Sequence, residues 1–119
     1  MGPLNLTTIL GKTLSLIANG YKAIGHQTLT ISTGNVYALT VPDGANYALM
    51  LLEEVGATGT RKVIRFWEDG SLPTTTVGIP RGDMDAWDVS TRQNLENFKI
   101  IRVTAASHVL QVQYYQISG

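Results

Sequence analysis

Turn signals break this chain at short, even intervals. From residue 29 onward, Gly- and Pro-centred breaks recur about every 8–12 residues. Pro42-Asp43-Gly44-Ala45, Gly56-Ala57-Thr58-Gly59-Thr60 and Glu68-Asp69-Gly70 are three of them. In the first, proline sets φ, aspartate bonds back to the backbone and glycine accepts a positive φ. Such spacing argues against βαβ units, whose crossovers need longer segments. It predicts an all-β fold of about seven or eight short strands, an antiparallel β-sandwich of jelly-roll type.

The segments between the breaks carry strand patterns. Residues 29–31 alternate apolar side chains with threonine, and residues 36–41 form the next run. Residues 47–55 are the most apolar stretch and predict a central strand covered on both faces, although their leucines also suit a helix. Residues 62–68 alternate, with Val63, Arg65 and Trp67 on one face and Ile64 and Phe66 on the other. In residues 84–89, Trp87 and Val89 lie opposite Ala86 and Asp88. Residues 95–104 read as a strand with Phe98, Ile100 and Val103 inward. Residues 109–117 close the chain, with Val112 and Tyr114 on one face and Gln111, Gln113 and Tyr115 on the other.

Residues 1–28 stand apart as an N-terminal arm, leaving residues 29–119 as the sandwich domain. Leu4, Leu6, Ile9, Leu10, Leu14, Leu16 and Ile17 are interleaved with threonine and serine, and Gly2, Pro3 and Gly11 disfavour one continuous helix. Burial of these side chains alone does not offset the entropy of ordering the segment. It needs sheet hydrogen bonds or another surface. Two readings stand: docking on a neighbouring subunit, or contribution of a first strand or short helix to its own domain.

Charge and cysteine content narrow the function. Nine basic and nine acidic residues cancel, and charged residues make up only 15% of the chain. A nucleic-acid-binding domain carries a basic excess, and this one has none. Low, balanced charge favours association. The absence of cysteine removes disulfides and thiolate metal sites. The longest apolar run, residues 47–52, is far short of a membrane span. No basic start precedes Lys12 and no small-residue cleavage site follows, so a signal peptide is not expected.

Residues 65–80 hold the most specific pattern: Arg65, then Glu68-Asp69-Gly70, Pro73-Thr74, Gly78 and Pro80. Asp69-Gly70 marks a turn, and the β-branched residues 74–77 favour extended backbone. The pattern, together with the closing Tyr114-Tyr115, resembles a segment of small structural proteins of tailed bacteriophages, over residues 41–115. The resemblance implies a location in the virion, most simply as a head decoration or cement protein assembled with itself and with the major capsid protein. A neck, tail or fibre-base protein is the alternative within the virion. A carbohydrate-binding module using Trp67 and Trp87 is the alternative outside it. The residues expected to make contacts are Leu4, Leu6, Ile9 and Leu10 in the arm, Arg65 and Trp67 on their strand, and Leu72 and Ile79 beyond it.

Catalytic constellations are weak. Asp83, Asp85 and Asp88 form the densest acidic cluster, but without the glycine and distal glutamate of a calcium loop; a solvated turn is the better reading. His26 and His108 are far apart in sequence and read as turn or surface residues, unsuited to zinc. Ser107 and His108 are adjacent, so on a strand they point to opposite faces and cannot form a nucleophile–base pair. Glu53, Glu54 and Glu68 have no spacing that sets a glycosidase separation. Residues 56–62 mimic a phosphate loop, but a strand pattern follows where a helix is required. The expectation is a non-enzymatic protein without metal or cofactor.

Overall fold

The computed structural model describes residues 20–53 and 62–117. Leu4, Leu6, Ile9 and Leu10, the turn at 56–60 and Glu54 lie outside the described residues.

Eight strands and one short helix follow in the order β1 (Tyr21–Ile31), β2 (Tyr37–Ala38), β3 (Tyr47–Leu52), β4 (Ile64–Trp67), β5 (Ile79–Arg81), β6 (Ala86–Ser90), α1 (Arg92–Asn97), β7 (Lys99–Arg102) and β8 (His108–Ile117). One sheet has the order β1-β8-β3-β6 and the other β2-β7-β4-β5. Pairing joins β1 to β8, β2 to β7, β3 to β6 and β4 to β5, all antiparallel. The chain is therefore one long hairpin, from β4–β5 at its bend to β1 and β8 at its ends, rolled until β3 meets β8 and β4 meets β7. This is the jelly-roll arrangement expected from the turn spacing.

The core lies between the sheets and follows strict alternation. Ala48, Met50 and Leu52 from β3, Trp87 and Val89 from β6 and Leu110, Val112 and Tyr114 from β8 face Ile64 and Phe66 from β4 and Ile100 from β7. Phe66 is the joint between the layers. Its ring stacks on Trp87 of the opposite sheet at 5.1 Å and on Phe98 at 5.2 Å. Arg81 covers the open edge of this stack, its guanidinium 5.5 Å from the Trp87 ring and 5.8 Å from that of Phe66.

Four expectations are corrected. The sandwich begins at Tyr21, because residues 21–28, assigned to the arm, pair with β8. A bulge between Ala23 and Gly25 breaks the period there and masks the strand in the sequence. The run at 36–41 pairs only at Tyr37–Ala38; beyond it the Thr40 amide bonds the Gln27 side chain instead of a strand. The strand at 95–104 is preceded by a helix. The Thr91 hydroxyl caps α1 by accepting from the Asn94 amide, and Arg92 donates to the carbonyls of Pro42 and Ala45. Residues 74–77 form a turn, not an extended run, because the Thr74 hydroxyl accepts the amides of Thr76 and Val77.

Truncation of the joint tests this architecture. Phe66→Ala is expected to lower the unfolding free energy by about 3–5 kcal/mol in urea titrations. Trp67→Ala, on the opposite face of the same strand and only half-buried, is expected to cost less.

Candidate interaction surface

The alternation that turns Phe66 inward turns Arg65 and Trp67 outward. Arg65 is half-buried and donates from Nη1 to the Gly78 carbonyl at 2.7 Å. Its cation thus ties the β4–β5 connection down onto the strand. Gly78 has φ 133°, and a Cβ there meets Arg65 Cβ at 3.1 Å and Pro73 Cβ at 3.2 Å. Pro73 is buried. The connection therefore lies close against β4, and glycine is needed for both its dihedral and its lack of a side chain.

The rest of the connection is pinned by its own residues. Asp69 Oδ1 accepts the Ser71 amide, and that bond holds its carboxyl below the usual aspartate range. Gly70 takes φ 89° beside Asn97. The Thr74 amide donates to the Val77 carbonyl. Pro80 sits on β5, the edge strand of its sheet, where a missing amide costs no ladder bond. Arg65, Asp69, Gly70, Pro73, Thr74, Gly78 and Pro80 of the 65–80 pattern thus each have a structural task.

Among the serine and threonines that the pinned segment presents to solvent stand two large apolar side chains. Leu72 is 66% exposed and Val77 52%, with Ile79 next to them on the edge strand. Of the contact residues expected on the domain, Arg65 holds the segment from beneath while Leu72 and Ile79 are displayed. Trp67 is half-buried beside Lys99. Val77 falls within the stretch from Leu72 to Ile79 expected to make contacts, but in a turn and not in the extended run that its β-branched neighbours suggested.

The other candidates resolve as follows. Trp87 is in the core and unavailable to a sugar. Asp83 and Asp85 occupy the β5–β6 turn rather than a strand, and Asp85 accepts the Gly82 amide at 2.7 Å. Asp88 accepts the Tyr47 hydroxyl at 2.7 Å. Glu53 accepts from the Gln111 side chain. Burial, and then the charge of Asp88, push the Glu68 carboxyl above its usual range, while Arg81 draws it back. Among the described residues no group of three or more His, Asp or Glu can hold a metal, and no helix is long and apolar enough to cross a membrane.

His108 is not a surface residue: it is 1% exposed at the start of β8. Its Nε2 bonds the Thr104 hydroxyl at 2.7 Å, and Nδ1 has no partner. Burial lowers its pKa from the ordinary 6.5, with the Thr104 bond and Asp83 opposing and Arg102 adding to the fall. The register buries it, since His108 pairs with Ile31 on the core side of β1.

No family model, curated protein or solved structure matches the chain.

Two measurements check this geometry. Gly78→Ala is expected to lower stability by more than about 1 kcal/mol, because the added methyl meets Arg65 and Pro73 in a dihedral that alanine resists. Gly34→Ala, with no atom within 4 Å, is expected to stay within about 0.5 kcal/mol in the same denaturation series. The second concerns pH. The unfolded chain protonates His108 near 6.5 while the folded chain holds it neutral to lower pH. Between these points the unfolded state binds more protons, so stability falls as pH drops below 6.5, by at most about 1.4 kcal/mol per pH unit. His108→Gln is expected to flatten this part of the stability–pH curve, read by urea midpoints from pH 7 to pH 5.

Proposed function

We propose that this chain is a non-enzymatic structural subunit of a tailed-phage virion, a decoration or cement protein that binds the head shell through the β4–β5 segment. The observation that carries this reading is the pairing of rigidity with apolar exposure. Leu72 and Val77 project from a connection held by Arg65, Asp69, Thr74 and Gly78. A solvent loop with no partner has little reason to be both.

Physically, such a loop binds by burial. Each apolar side chain fully covered contributes about 1.5–3 kcal/mol. Because the backbone is already ordered, less of that is lost to ordering on association. A few side chains make a weak contact, and repetition over a shell multiplies it. Balanced charge permits close packing of copies. The resemblance of residues 65–80 to phage structural proteins supports the same location. The major capsid protein is the partner that a decoration role implies, with further copies of this chain as neighbours.

The double variant Leu72→Asp/Val77→Asp is expected to fold as the parent does, because both positions are exposed. It is expected to lose at least tenfold in copies retained on purified particles, measured by quantitative mass spectrometry. Undiminished retention removes this surface from the proposal. A parent protein absent from particles removes the virion altogether. Hundreds of parent copies per particle fit the head, and a dozen or fewer place it at the neck or tail instead.

A further inference from the structure

The outer face of the β1-β8-β3-β6 sheet is half polar and half apolar. Along β1, His26, Thr28 and Thr30 point outward and are exposed, the usual pattern for the solvent side of a sandwich. Around β3 the pattern fails. Tyr47, Leu49 and Leu51 alternate with the core residues Ala48, Met50 and Leu52, so all three face away from the core. Tyr115 of β8 pairs with Tyr47 and shares that side. Tyr21 joins them: its ring meets Tyr47 edge-on at 5.6 Å, and Tyr47 meets Tyr115 at 5.8 Å.

Tyr21 reaches this face only because of the β1 bulge. Leu29 and Gln27 pair with Leu110 and Val112 on the core side. An unbroken period of two places Tyr21 on that side as well. The extra residue at Ile24 reverses the facing and sends Tyr21 outward.

Burial on this face has a direction. Tyr47 is 1% exposed although it lies outside the core cluster, Leu49 is half-buried, and Leu51 is 37% exposed. The cover is deepest beside Tyr21, where residues 1–19 join the domain, and thins with distance from it. Gly20, at φ 92°, stands at that junction in a dihedral that glycine adopts readily. Nineteen residues extend roughly 60 Å, whereas six residues of strand span roughly 20 Å, so the segment is long enough to run the length of β3. It carries seven aliphatic side chains, a composition suited to Tyr47, Leu49, Leu51 and Tyr115.

We propose that residues 1–19 fold back across this outer face and cover the Tyr21–Tyr47–Tyr115 cluster of their own subunit. Attachment at Gly20 favours the subunit's own arm, because a short tether holds it at an effective concentration of about millimolar. The arm is then part of what makes the subunit stable. Contact with the shell falls to the β4–β5 connection, on the other sheet. The inference does not rest on the virion reading, and its test needs no particle.

The chain has no cysteine, so a single spin label can be placed in the arm of the full-length protein at Thr8→Cys or, separately, Ser15→Cys. With label and 15N on the same chain, the amide signals of Tyr47, Leu49, Gln113 and Tyr115 are expected to be lost to paramagnetic broadening. Those of Arg65 and Ile101, on the other sheet, are expected to remain. Mixing labelled, unenriched chains with enriched, unlabelled chains is expected to leave every signal intact. Loss that persists in the mixed sample overturns the assignment in favour of a neighbour's arm. No loss on this face from either label position overturns it entirely. Leu49→Glu, in a chain whose other signals show the fold intact, is expected to restore the broadened signals.

Discussion

Phe66 sets the rest of the molecule in order. Stacked between Trp87 and Phe98, it joins the two sheets at a single side chain and orients β4. Because successive strand residues point to opposite sides, an inward Phe66 forces Arg65 and Trp67 outward. Arg65 then has the Gly78 carbonyl within reach, and the β4–β5 connection is drawn against the sheet. A core contact thereby determines the shape of a surface loop several residues away. Arg81 belongs to the same arrangement, its aliphatic stem on the core side and its cation over the two rings at the edge where β5 and β6 leave the sandwich open.

The most distinctive stretch of the chain is architectural. A pattern rich in Gly, Pro, Asp and Thr is easily taken for a binding motif. Here its members hold a backbone: Asp69 and Thr74 accept amides, Gly70 and Gly78 take positive-φ dihedrals that other residues rarely adopt, and Pro73 packs beneath. The side chains of Leu72 and Val77, between them, face solvent. The specific information in such a segment lies in the scaffold that holds its backbone.

Two parts of the fold were hidden by competition between local and tertiary effects. In β1 a single inserted residue shifts the alternation, so the strand reads as two unrelated fragments and its first eight residues look like linker. In α1 one helical turn is held by the Thr91 cap and by Arg92 bonds to the β2–β3 turn, partners some fifty residues away. No run that short shows a helical period. His108 was misread for the same reason: whether a histidine beside a turn is wet or dry depends on which residue it faces across the sheet.

What the amino-acid order determined by itself was the class of fold: period-two patterns cut by Gly and Pro at short intervals admit only antiparallel strands, and apolar alternation selected which of their faces met. It determined too that residues 47–52 are apolar on both sides, a pattern that suits a doubly covered strand and, by its leucines, a helix as well. Only the tertiary structure decided what those faces meet, where the bulge turns Tyr21 outward, and which of the residues in the 65–80 pattern remain in water. The reason is physical: strand periodicity is a property of neighbours along the backbone, whereas burial and hydrogen-bond partnership are properties of segments brought together by the roll of the hairpin.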